Sequence, residues 1–370
     1  MKNILLERLT LYNFKNYTEA SLHFQNKVVC FAGDNGSGKT NLLDAIHYLC
    51  VCKSFFNTTD SQNITTGHEQ ASITGEFEKD GMPEHIVCAL RKGQRKVFKR
   101  NFKEYDKLAD HIGLLPAVII TPYDIELIWE GSEVRRKFLD ATISQQSRPY
   151  LEALVAYNHA LLQRNNLLKS FATKGGYNPD FLEPWDMQLI HYGTILYEER
   201  KKFLKEFAVQ FNSVYQTICE GKEQTAITYE SDLHENSMEE LLQQNRDKDR
   251  LLERTSAGIH KDELAFTIGG MPLKKFASQG QQKSFLFALK FAQYNCIRTH
   301  QGINPLLMLD DLLDKIDEGR LMQILRWLKD NDTGQIFITD THTERIPALL
   351  TKLEMPHEVW KIAAGTAVHA

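Results

Sequence analysis

The stretch Gly33-Asp34-Asn35-Gly36-Ser37-Gly38-Lys39-Thr40 satisfies G-x-x-x-x-G-K-[ST] at every fixed position. An apolar run, Val28-Val29-Cys30-Phe31-Ala32, enters it, and Leu42, Leu43, Ala45, Ile46 and Leu49 leave it at helical spacing. A buried strand, a tight glycine turn and a helix form the context in which this pattern binds a nucleoside triphosphate. Three glycines let the backbone wrap phosphates with its N–H groups pointing inward, and the helix N-terminus adds its positive end. Lys39 is placed to reach the β- and γ-phosphates of ATP, and the Thr40 hydroxyl to ligate Mg2+.

A second nucleotide element is expected near the C-terminus. Leu306-Leu307-Met308-Leu309 reads as a buried strand running into Asp310 and Asp311. Asp310 would hold Mg2+, directly or through water, and Asp311 could polarise the attacking water. Asp311 stands where transporter ATPases place a glutamate. Its side chain is one methylene shorter and holds the water less well, so slow turnover suited to a switch is expected. A further buried strand, Ile336-Phe337-Ile338-Thr339, precedes Asp340-Thr341-His342. Thr339, Asp340 or His342 could sense the γ-phosphate, and Asp340 could equally cap the next helix.

The class of ATPase is carried by Ala277-Ser278-Gln279-Gly280-Gln281-Gln282-Lys283, which opens a largely apolar helix through Phe285, Leu286, Leu289 and Phe291. One reading is an N-capped helix, with Ser278 as cap and Gln281 at the third helical position. The other is an ABC-type signature, in which Ser278, Gln279, Gly280 and Gln281 offer a hydroxyl, a glycine N–H and a helix dipole to a γ-phosphate. The phosphate loop already holds its own nucleotide, so such a motif faces the nucleotide of a second protomer. Both readings can hold at once.

Between these motifs the chain changes character. Segments 9–14, 20–24, 71–77, 86–90, 97–98 and 117–121 read as strands, the first two at a sheet edge and 86–98 as a hairpin. From Tyr150 to Val214, apolar and aromatic residues keep helical spacing, interrupted at Lys174-Gly175-Gly176-Tyr177-Asn178-Pro179, which predicts two antiparallel helices. The expected division is 1–125 for the first half of an ATPase lobe, 126–299 for a helical lobe carrying the signature, and 300–370 for the second half of the ATPase lobe. Six cysteines form no paired CxxC framework, so free thiols in a reducing cytosol are expected. No apolar run approaches membrane-spanning length, which predicts a soluble cytoplasmic protein.

With these motifs in place the whole chain resembles the RecF family, the bacterial DNA-repair branch of the SMC-like ABC ATPases. The match extends beyond the ATP motifs. It includes Asn13-Phe14-Lys15-Asn16-Tyr17, Thr121-Pro122-Tyr123-Asp124 with Gly131 and Arg135-Arg136-Lys137-Phe138-Leu139-Asp140, and Gln163-Arg164-Asn165-Asn166-Leu167-Leu168-Lys169. Pro184-Trp185-Asp186 and Gly258-Ile259-His260-Lys261-Asp262-Glu263-Leu264 also correspond. Two motifs depart from the family pattern: Phe56 and Asn57 stand where an arginine follows the Ser-Phe pair, and Ile259 replaces a proline. The resemblance implies an α/β, P-loop ABC-type ATPase head with an inserted helical second lobe. It implies a weak, DNA-dependent ATPase that dimerises around ATP, binds single-stranded, duplex and gapped DNA, and helps RecO and RecR place RecA at gaps.

A net charge of −4 gives no global attraction to nucleic acid, so any DNA surface must be a local patch. Arg91, Lys92, Arg95, Lys96, Lys99, Arg100 and Lys103 crowd one such segment, with Phe98 and Phe102 among them. The first five are the candidate DNA contacts, against a plain solvated hairpin. Arg135, Arg136 and Arg164 are alternatives that could instead form ion pairs. His260 and Lys261 could sense nucleotide or shape a strand end. Three other functions compete. A P-loop kinase is disfavoured by the serine-glycine-glutamine helix start. A structural SMC subunit is disfavoured because no long coiled coil fits before Ser278. A transporter ATPase subunit is disfavoured by the flanking motifs.

Overall fold

The computed structural model describes residues 2–174, 176–219, 223–311 and 318–370. Gly175, in the expected loop between the long helices, lies outside them. The chain forms two compact units, Met1–Asp124 with Leu286–Ala370, and Ile125–Phe285. The expected boundary at 299/300 thus moves to 285/286. The helix Gln279–Gln301 starts in the second unit, and from Leu286 onward its apolar side chains count with the first.

The first unit holds two six-stranded sheets. In one, Val28–Ala32 lies between Ile336–Asp340 and His357–Ala363, all parallel, and the Asp310 strand Leu306–Leu309 continues the ladder to Ala117–Ile120. Four of these strands are buried along their length, as parallel strands covered on both faces must be, while His357–Ala363 alternates between buried and more exposed positions. Their carboxyl ends deliver the phosphate loop, Asp310 and Asp340 to one edge, where open α/β sheets bind ligands. The other sheet is antiparallel, in the order Tyr17–His23, Ile4–Phe14, Gln70–Lys79, Met82–Arg91, Val97–Arg100 and Lys103–Glu104. The expected hairpin at 86–98 is present. Of the two strands expected at an edge, only Tyr17–His23 is there, because Gln70–Lys79 pairs along the free side of Ile4–Phe14. Helix Lys39–Val51 buries Leu42, Leu43, Ile46 and Leu49 in a core shared with Leu9 and Leu11 of this sheet and with Phe31, Met308 and Phe337 of the parallel one.

The second unit is built on the two predicted helices, Arg148–Lys174 and Glu183–Cys219, of 27 and 37 residues. Tyr150, Tyr157 and Leu168 on the first, and Leu189, Leu196, Phe207 and Phe211 on the second, are buried, so the aromatic stripe is packing. A three-stranded antiparallel sheet, Thr225–Glu230, Glu263–Ile268 and Met271–Pro272, was not foreseen. Its strands are short and lightly buried, with only Leu264 and Phe266 buried in the two longer ones, so they carry little apolar signal. All six cysteines are free thiols. Among the described residues no helix is long and apolar enough to cross a membrane.

Candidate nucleotide-binding site

The phosphate loop has the backbone its glycines are needed for. Gly38 caps helix Lys39–Val51 at φ 119°, and a Cβ there would lie 2.6 Å from Asn16 Nδ2 and 2.8 Å from the Tyr17 hydroxyl. No side chain caps the helix start and no acid sits in its first turn, so its N–H groups and dipole are available to an anion. Lys39, almost fully buried, donates from Nζ to Gly33 O at 2.8 Å and Asp34 O at 3.0 Å. Among the described residues Ser37 Oγ is buried with no hydrogen-bond partner. An open anion-binding helix end, an orphaned hydroxyl and a lysine that, among the described residues, hydrogen-bonds only to loop carbonyls fit a triphosphate.

The two predicted Mg2+ ligands meet. Thr40 Oγ1 donates to Asp310 Oδ1 at 2.9 Å, and Thr339 Oγ1 donates to the same oxygen at 2.9 Å. Asp311 N donates to Thr339 Oγ1 at 2.7 Å, and Asp311 itself sits at φ 40°, a strained backbone for aspartate. Thr339 Oγ1 also reaches Asp311 Oδ1 at 3.3 Å, so it touches both carboxylates, whereas His342 is exposed and, among the described residues, only its backbone N–H is engaged, by Asp340. Asp340 does not cap the following helix, Arg345–Lys352, whose N-cap is Glu344. No group of three or more His, Cys, Asp or Glu side chains poised for a metal occurs among the described residues. A hydroxyl and one carboxylate suit Mg2+, which takes its remaining ligands from phosphates and water. When bound, Mg·ATP would supply the electrophilic phosphorus and the charge that binds these oxygens.

Burial raises the Asp310 carboxyl to about 6, the charge of Asp311 adds to this, and the Thr40 and Thr339 hydroxyls with Lys39 oppose it. A carboxyl raised on folding carries no penalty below its unfolded value near 4. It lowers stability progressively as pH rises toward 6, and the penalty persists above. Asp310→Asn should therefore stabilise the metal-free protein by about 1–3 kcal/mol at pH 7.5 and by little at pH 4. It should also abolish Mg·ATP turnover. Thermal melts at both pH values check this, and an equal gain at both would refute the assignment.

Residues remote in sequence brace the loop. Asn16 Nδ2 donates to Ser37 O at 3.0 Å, the Tyr17 hydroxyl to Gly38 O at 3.1 Å, and Gly365 N to Ser37 O at 3.1 Å. The family motif Asn13–Tyr17 thus supports the phosphate loop, a role its local sequence does not signal. Lys15 reaches Asp44 at 2.5 Å and lies 5.3 Å over the Phe56 ring, the residue at the departed arginine position.

In the second unit, Ser278 Oγ accepts from Gln281 N at 3.2 Å and Gln281 Oε1 accepts from Ser278 N at 2.7 Å, a complete capping box. Ser278 is exposed, and among the described residues its hydroxyl hydrogen has no acceptor. Gln281 Nε2 is held by Glu223 at 2.8 Å, and Tyr215 donates to the same carboxylate. Glu223 gave no signal in the sequence. His260 shapes a strand end: it bonds Tyr157 Oη at 2.8 Å and Thr255 O at 3.1 Å just before Glu263–Ile268, and burial lowers it to about 4. Lys261 beside it is exposed.

The cationic segment divides. Arg91, Arg95 and Lys99 are exposed, and Lys92 is exposed but pairs with Glu69 at 3.1 Å. Lys96 turns inward to Asp60 at 3.1 Å and to the Tyr48 hydroxyl, so it is withdrawn from the surface. Phe98 is core, stacked on Tyr48, whereas Phe102 is exposed. Arg164 is wholly buried between Asp186 and Asp249, each at 2.6 Å, and cannot reach a DNA phosphate. Arg135 grips Glu263 with two nitrogens and Arg136 donates to Asp262 O.

Residues 5–355 match the family model described as the RecF/RecN/SMC N-terminal domain. A Flavobacterium johnsoniae protein named DNA replication and repair protein RecF is 48% identical over 96% of this chain and 99% of its own. Its Parabacteroides distasonis namesake is 46% identical over 98% of each chain. Among solved structures, the recombination mediator protein RecF with ATP, from the RecFOR pathway, superposes with a TM-score of 0.90 at 27% identity, covering 100% of this chain and 98% of that one.

Proposed function

The chain belongs to the RecF family of RecF/RecN/SMC head proteins, and on that premise we propose that it is an ATP-dependent DNA-binding clamp of recombinational repair and replication. ATP with Mg2+ joins two protomers around DNA, and hydrolysis releases them. The observation that carries the reading is the convergence of Thr40 and Thr339 on Asp310 behind a glycine loop whose helix end is open. Thr339 links that carboxylate to Asp311, so loss of the γ-phosphate is transmitted to the group that orients water. The exposed hydroxyl of Ser278 closes the partner's nucleotide site. The clamp acts in the cytoplasm on single-stranded, duplex and gapped DNA, and with RecO and RecR promotes RecA loading.

ATP should shift the protein from monomer toward dimer, and ADP should not. Asp311→Asn should strengthen the dimer, because Mg2+ binding survives while hydrolysis slows. Sedimentation that shows an ATP-insensitive monomer at tens of micromolar protein would overturn the clamp.

A further inference from the structure

We propose that the outer face of the antiparallel sheet in the first unit carries a subsite for single-stranded DNA, with a base stacked on Tyr12 and the neighbouring phosphates held by Arg91 and Arg95. This rests on the DNA-binding reading above and gives it a place and a preferred strand state. A groove of about 340 Å³ lies there, lined by Tyr12, Gln70, Ser72, Ala89, Gln94 and the two arginines, among others. Its volume is at the lower end for a site that holds one small organic unit.

Strand alternation builds it. Leu11 and Asn13 point into the core, which turns Tyr12 outward with 46% of its surface exposed. Tyr12, Ser72, Ala89 and Val97 are successive cross-strand partners, so they form one row across four strands. Ser72 and Ala89, in the middle of the row, are small and leave a hollow beside the ring. Gln70 and Arg91 are partners at one end of the same face, and the loop from Arg91 to Val97 adds Gln94 and Arg95 as a wall. Glu19 faces Tyr12 from the edge strand and repels phosphate on that side. The arginine side is thus where a backbone can run.

An exposed ring beside two guanidinium groups is the pairing that takes a base face and a phosphate together. Gln70, Ser72 and Gln94 can reach a base edge with either donors or acceptors. A duplex hides its base faces in the stack and meets only the arginines. The ring therefore favours single strands, whereas the charge alone would favour the more densely charged duplex.

The test uses the full chain with ATP, a labelled fifteen-nucleotide oligo-dT and a blunt duplex, with thermal melts to show that each variant folds. Tyr12→Ala should weaken oligo-dT binding about tenfold and leave the duplex within about twofold, whereas Tyr12→Phe should bind like the unaltered chain. Arg91→Ala with Arg95→Ala should lower the single-strand salt slope by about 1.4, at about 0.7 per phosphate. If the unaltered chain binds oligo-dT and the Tyr12→Ala change does nothing, or weakens both DNAs equally, the subsite is overturned and the clamp reading stands. If the unaltered chain binds neither DNA, both are overturned.

Discussion

Mixing Lys39→Ala chains with Ser278→Arg chains should restore ATP hydrolysis to about one quarter of the unaltered level, although each variant alone is nearly inactive. Lys39→Ala removes the ammonium that would leave Gly33 O and Asp34 O for the phosphates of its own protomer. Ser278→Arg removes a hydroxyl and places a bulky cation where the neighbour's γ-phosphate would lie. A dimer of either variant has both sites damaged. A mixed dimer has one site with an intact phosphate loop and an intact signature, and one site damaged twice. Random mixing makes about half the dimers mixed, each with one of two sites whole, which gives the quarter if the sites act independently. Ser278→Arg also loses an N-cap, at about 1 kcal/mol, so circular dichroism must show that the helix persists. Dimers that form without recovered activity would mean coupled sites. Full activity in Ser278→Arg alone would sink the composite site.

Arg200→Met should destabilise the second unit by about 3–5 kcal/mol, read as a loss in urea midpoint. Arg200 is buried and donates to Asp262 Oδ2 at 2.9 Å, Asp140 Oδ1 at 2.8 Å, Ile259 O at 2.8 Å and the Tyr150 hydroxyl at 3.1 Å. Methionine fills much of the volume but leaves Asp140 and Asp262 without their cation, and an uncompensated buried charge is the expensive outcome. Asp262 is already raised by burial, which the hydrogen bonds of Ser231, Tyr229 and Arg200 oppose. Without Arg200 it should rise further, so the loss should be smallest in acid, where Asp262 is neutral, and grow as pH rises from its unfolded value to its folded one. A loss under about 1 kcal/mol at pH 7.5 would contradict the role assigned to this cluster.

The nucleotide site was legible because its chemistry is local. A loop that wraps phosphates needs glycines at fixed intervals and a lysine and hydroxyl directly after them, so Gly33–Thr40 carried its own context. Asp310 and Asp311 were legible for the same reason, since a buried strand must end before a carboxylate can be exposed to a ligand. The capping box at Ser278 is likewise a four-residue arrangement, and it exists as read. What one sequence could not supply was the direction of a long, flexible side chain. Seven cations in one segment looked alike, yet the short helical turn Asp60–Asn63 drew Lys96 onto Asp60, and the fold left Arg91 and Arg95 beside a groove that Tyr12 completes from a strand some eighty residues earlier. For Arg164 the sequence left a DNA contact and an ion pair open, and Asp186 and Asp249, which enclose it, make it the ion pair.

The sequence by itself determined the glycine turn before helix Lys39–Val51, the buried strand that ends at Asp310 and the capped helix start at Ser278, because each is a short-range arrangement of backbone and adjacent side chains. Only the tertiary structure decided what holds them. Asn16, Tyr17 and Gly365 brace the phosphate loop from opposite ends of the chain, and Glu223 fixes Gln281 from 58 residues away. Those contacts arise from strand order and helix packing, for which the distance along the chain carries no information.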